Sequence, residues 1–148
     1  MRTQNFFPFI LCFIVFTASV FGFENHSGTK HGSNKSTVES PKAGSIEKLQ
    51  DGLTVADVFK QRKELKGKTV KVRGKVMKVL DGIMGKTWVH LQDGTGAQGT
   101  NDLVFTMTAP PPDVASVVVG KGKLTIDKDL GSGYFYEAIV EESQFAKE

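Results

Sequence analysis

Gly82-Ile83-Met84-Gly85-Lys86-Thr87-Trp88-Val89-His90-Leu91-Gln92-Asp93-Gly94-Thr95-Gly96 decides how this chain folds. A glycine-rich turn leads into a short strand, Thr87–Gln92, and Asp93–Gly96 turns the chain out of it. Val89 and Leu91 alternate with Trp88, His90 and Gln92. Successive strand side chains leave on opposite faces, so this alternation sends one set to a core and the other away from it. The second set holds the chain's only tryptophan, beside the only histidine outside the N-terminal region.

Upstream of the turn, Lys68–Leu80 reads as a long first strand. Val70, Val72, Gly74 and Val76 share one face, and Lys71, Arg73 and Lys75 the other. After Val76 the apolar phase moves to Met77 and Val79, which predicts a bulge. Such a bend lets one strand pair with partners on both sides of a small closed barrel. Before this strand, Thr54 can cap a helix whose third position is Asp57. Val55, Val58, Phe59 and Leu65 form its apolar stripe, so the spacing predicts a helix over Val55–Leu65, stopped by Gly67.

Downstream, Asp102–Met107 is expected as a third strand with Leu103 and Phe105 inward. Thr108–Asp113 carries three prolines, which cannot donate to a ladder, so it reads as a rigid loop. Ser116–Asp127 is a fourth strand, marked by Val117, Val119, Leu124 and Ile126 and interrupted by Gly120 and Gly122. Asp127–Gly133 is a loop and Tyr134–Glu141 a fifth strand. The fold class is therefore mainly β: a five-stranded, OB-fold-like barrel with one α-helix preceding strand 1. In most OB folds the helix lies between strands three and four, where this chain has its prolines.

The N-terminus has a different composition. Arg2 precedes the nearly all-apolar run Phe6–Phe16, and small residues close it at Gly22. This is the pattern of a secretory signal peptide over residues 1–22, with cleavage expected between Gly22 and Phe23. The run is short for a membrane span, which needs about 20 residues. Cys12, the only cysteine, leaves with it, and the formal charge falls from +3 to +2. Residues 23–43 are rich in Gly, Ser, Asn, Lys and Thr and read as a disordered linker before a domain over 44–148. Bases concentrate between Lys60 and Lys78, a bias that fits either an anionic partner or a solvated face.

Gly67–Val76, Gly82–Gly96 and Asp127–Tyr134 together resemble a family of small exported bacterial OB-fold proteins. Some of these are labelled as nitrite-reductase-associated accessory proteins and others as DNA-binding proteins. The resemblance covers about residues 44–145 and departs at Thr87, where relatives often carry Asn before the Trp. It implies an OB fold and a periplasmic or secreted location.

The candidate ligand face is Trp88, His90 and Gln92 on the second strand with Arg73 and Lys75 on the first. Trp88 either stacks on a flat ligand or packs under a loop; Arg73 and Lys75 could hold phosphates. Phe59, Phe105, Tyr134, Phe135 and Tyr136 are expected to be core packing or edge cover. The metal candidates are His26, His31 and His90, with Met84 or Met107 as a soft partner for His90. Asp93, Asp127 and Asp129 read as turn carboxylates. No nucleophile–base pair, phosphate loop or zinc spacing is found, and no cofactor is expected. The sequence supports a non-enzymatic binding or accessory module with a protein partner in the envelope. Single-stranded nucleic acid is the alternative ligand, and metal handling the third.

Overall fold

The computed structural model describes residues 38–147 of the chain. The expected signal segment, His26 and His31 lie outside them. Among the described residues no helix is long and apolar enough to cross a membrane.

A helix starts where Thr54 caps it: Thr54 Oγ1 accepts the Asp57 N–H at 3.0 Å, and the Asp57 carboxylate accepts the Thr54 N–H at 3.1 Å. This reciprocal pair satisfies two of the donors that a helix start leaves open. The expected single helix breaks in two, α1 (Val55–Lys60) and α2 (Arg62–Leu65). Gln61 leaves helical geometry at φ −102° and ψ 13°, which ends the first segment. Val55, Val58 and Phe59 are buried as the stripe predicted.

Five strands follow: β1 (Thr69–Ile83), β2 (Lys86–Gln92), β3 (Leu103–Met107), β4 (Val117–Asp129) and β5 (Phe135–Lys147). They form a five-stranded sheet that closes in a ring in the order β1-β2-β3-β5-β4. All pairings are antiparallel except β3 with β5. Closure depends on β1, which pairs with β4 over Thr69–Lys75 and with β2 over Lys75–Ile83. The register shifts between Val76 and Lys78, where the apolar phase slips in the sequence. Inside the ring, Val70, Val72, Val76, Val89, Leu91, Leu103 and Phe105 pack with the α1 residues.

Of the apolar positions that mark β4, Leu124 is buried and Ile126 packs against the core, but Val117 and Val119 do not face it. The inward positions of β4 are Val118, Gly120, Gly122 and Leu124, while Val117 is exposed and Val119 half-buried. The glycines face inward because no room remains for a side chain. A methyl group at Gly120 would meet the rings of Phe105 and Phe145 at 2.9 Å, and one at Gly122 the Glu141 carbonyl at 2.6 Å. The valines alone do not mark the inward face. β5 also runs six residues past Glu141, which brings Phe145 onto Phe105 with ring centroids 5.4 Å apart.

Candidate functional site

The outer face of β2 carries Lys86, Trp88, His90 and Gln92, opposite the residues that enter the core. Trp88 points to this face but is only 5% exposed. It forms a second apolar layer outside the ring with Val104 and Ile139, flanked by Leu80, Leu130 and Tyr136. Its ring lies 5.7 Å from that of Tyr136, tilted by 34°. Its indole N–H donates to the Ile83 carbonyl at 2.9 Å, which fastens the β1–β2 turn to this layer. A buried indole N–H needs such a partner. Of the two expectations for Trp88, packing beneath a loop describes its surroundings.

Above this layer lies a cleft of about 530 Å³, lined by Leu80, Ile83, Met84, Leu130, Tyr134 and Tyr136 with Lys78, Trp88 and His90. A second cleft of about 480 Å³ is bounded by Phe59, His90, Asp102, Val104, Phe135 and Glu137, and also by Tyr136. His90 and Tyr136 line both, so the two clefts adjoin, and together they make the candidate groove. His90 is fixed at this junction by Asp102, with Nδ1 and Oδ2 2.5 Å apart. The other Asp102 oxygen is buried without a partner among the described residues. Burial raises the Tyr136 hydroxyl pKa above its ordinary value, and Tyr134 and Asp102 add to the effect. Tyr136 therefore remains a neutral donor at physiological pH.

A scan against models of known protein families and a search of curated proteins each found no match to this chain. The site must accordingly be read from its own chemistry.

The expected site residues do not all come together. Trp88 and His90 line the groove; Gln92, half-buried opposite Lys75, lines neither lobe. Arg73 and Lys75 lie outside the groove and are engaged by the chain itself, Arg73 donating to the Glu47 carbonyl at 3.1 Å and Lys75 to that of Glu39 at 2.9 Å. The sequence could not show this, because both acceptors are backbone atoms, of the expected linker at Glu39 and of the start of the domain at Glu47. Among the described residues no group of three or more His, Cys, Asp or Glu is placed to hold a metal. Met107 is buried in the interior cluster, so it is not a soft partner for His90 on the outer face. Asp93 and Asp129 do serve turns, accepting the N–H of Thr95 and Gly131 at 2.9 and 2.8 Å.

Two groove residues were misassigned from sequence. Tyr134 and Phe135 are 63% and 56% exposed rather than edge cover. Met84, 67% exposed, and Ile83 also project at the rim. The available signal was the run Tyr134-Phe135-Tyr136 itself. Three consecutive aromatics entering a strand cannot all face one side, so some had to meet solvent.

Proposed function

We propose that this chain is a non-enzymatic binding module, an exported OB-fold barrel whose two-lobed groove takes an extended segment of a partner protein in the bacterial envelope. The strand order, the bulge in β1 and the parallel β3–β5 pairing support the OB assignment. Export rests on Arg2, the apolar run Phe6–Phe16 and the small residues up to Gly22. The groove lies between the β1–β2 and β4–β5 connections, the face that OB folds use for chain-like ligands.

The observation that carries this reading is the meeting of the two lobes at His90 and Tyr136. A compact ligand needs one pocket; an extended chain can place side chains in two. Charge selects among chain-like ligands. Lys78 and His90 are the groove's basic residues, set against Asp102 and Glu137. A polyphosphate backbone would want a positive track. An apolar peptide segment fits balanced charge over Ile83, Met84, Leu130, Tyr134 and Phe135. Exposure of Tyr134 and Phe135 favours a second reading, in which bases stack on the rim.

Selection of random linear peptides on residues 23–148, followed by Trp88 fluorescence titration, separates the two. Selected peptides should carry apolar or aromatic residues at alternating positions, perturb Trp88 emission, and bind more weakly to Tyr134→Ser. If no peptide is selected and oligothymidylate quenches Trp88, the peptide reading falls and the nucleic-acid reading replaces it.

A further inference from the structure

A different surface is formed by the first half of β1 and its partner β4. The register sets Thr69 opposite Lys123, Lys71 opposite Lys121, Arg73 opposite Val119 and Lys75 opposite Val117. All eight side chains face outward, because Val70, Val72, Val118, Gly120, Gly122 and Leu124 take the interior. Five of the eight are cationic and none is acidic. Cations two residues apart on a strand repeat at roughly 6.7 Å, giving a regular track. Like charges directly opposite, as at Lys71 and Lys121, destabilise a sheet. A face made only to meet water would intersperse both signs.

Residues 38–53 cross the β1 half of this surface. They carry no helix or strand, only an isolated bridge at Leu53. Their contacts with the cations are polar: the Glu39 and Glu47 carbonyls accept Lys75 and Arg73, and the Asp51 carboxylate meets Lys71 at 3.0 Å. The segment is anchored apart from these at its end, where Leu53 packs against the core and donates its N–H to the Lys71 carbonyl at 2.8 Å, and by Lys48, which meets Asp57 at 2.9 Å. Contact with Lys71 also holds the exposed Asp51 carboxyl below its ordinary pKa. Gly94 makes room for the crossing, since a methyl group there would collide with the Lys42 carbonyl. Lys121 and Lys123 on β4 remain exposed.

We propose that the outer face of β1 and β4 binds a phosphate-bearing polyanionic chain, and that residues 38–53 are a strap competing with it for Lys71, Arg73 and Lys75. The strap offers three acceptors that a row of phosphate oxygens can replace. Exposed ion pairs and hydrogen bonds of this kind are individually weak, so a multivalent anion can displace them without unfolding the barrel. Lys121 and Lys123 supply the initial contact.

The test is fluorescence anisotropy of labelled oligothymidylate with residues 23–148 across a salt series. Salt-dependent binding is expected. Asp51→Ala should bind about 2–5-fold more tightly, the worth of one exposed ion pair. Glu64→Ala makes the same charge change on α2, away from the strap, and should not reproduce the gain. Lys121→Glu with Lys123→Glu should weaken binding and flatten the salt slope by about 1.4. The groove variant Tyr134→Ser should bind oligothymidylate like the wild type. Displacement by inorganic polyphosphate at equal phosphate concentration would show that the phosphate chain suffices; failure to displace would overturn phosphate-only recognition. Equal affinity of Asp51→Ala and Glu64→Ala would overturn the competing strap. Absence of salt-dependent binding in wild type and Asp51→Ala alike would overturn the site.

Discussion

The Trp88 ring lies 5.7 Å from the Tyr136 ring, and this contact joins β2 to β5 beneath the candidate groove. Trp88 also holds the β1–β2 turn through the Ile83 carbonyl. Trp88→Ala should therefore cost about 3–5 kcal/mol in urea unfolding, the range for truncating a packed aromatic. Trp88→Phe should retain most of the packing and lose chiefly one hydrogen bond, about 1 kcal/mol. Wild-type emission should be blue-shifted relative to an exposed indole.

Asp93 joins two distant parts of the chain. Its buried carboxylate accepts the Val55 N–H at 2.8 Å and the Thr95 hydroxyl at 2.6 Å, and the Thr95 hydroxyl oxygen in turn accepts the Ala56 N–H at 3.0 Å. The loop after β2 thus caps the first turn of α1. Asp93→Ala should destabilise by about 3 kcal/mol, because it leaves buried donors unmatched. Chemical unfolding monitored at Trp88 measures it. Asp93→Asn keeps an acceptor and should cost less.

Glu141 should contribute to acid sensitivity. Burial raises its pKa, but hydrogen bonds from Lys128 and Thr125, with the Lys128 charge and Lys86, outweigh that and leave it below its ordinary value. A folded pKa below the unfolded one means the stabilisation is complete above the unfolded value, about 4.3, and is lost as pH falls through the folded value. Glu141→Gln should therefore flatten the loss of stability below about pH 4.3, relative to wild type. Urea midpoints measured at pH 3, 4, 5 and 7 test this.

The inward glycines of β4 should respond unequally to alanine. At Gly120 the obstruction is two phenyl rings, which can shift; at Gly122 it includes a backbone carbonyl, which cannot shift without breaking the sheet. Gly120→Ala should cost about 1–3 kcal/mol, as overpacking does. Gly122→Ala should cost more. Thermal unfolding of the two variants gives the order.

The sequence made visible what alternation and local chemistry encode. The capping box at Thr54 and Asp57, the slip after Val76 and the five strands follow from short-range spacing. The face of β4 did not, because its interior is set by glycines whose space is filled from β3 and β5. Trp88 and His90 were identified as a pair on one face. The burial of Trp88 depends on Val104, Ile139 and Tyr136, which only closure of the ring brings near. The engagement of Arg73 and Lys75 by residues 38–53 was not legible, because their acceptors are backbone carbonyls, which have no sequence signature.

The most direct test of the groove is amide and indole chemical-shift mapping on isotope-labelled residues 23–148, titrated with a selected peptide. The account predicts shifts at the Trp88 indole N–H, His90, Tyr134, Phe135 and Tyr136, with Lys71, Arg73 and Lys121 unmoved. Shifts confined to the β1–β4 face, with the Trp88 indole N–H unchanged at saturation, would contradict it.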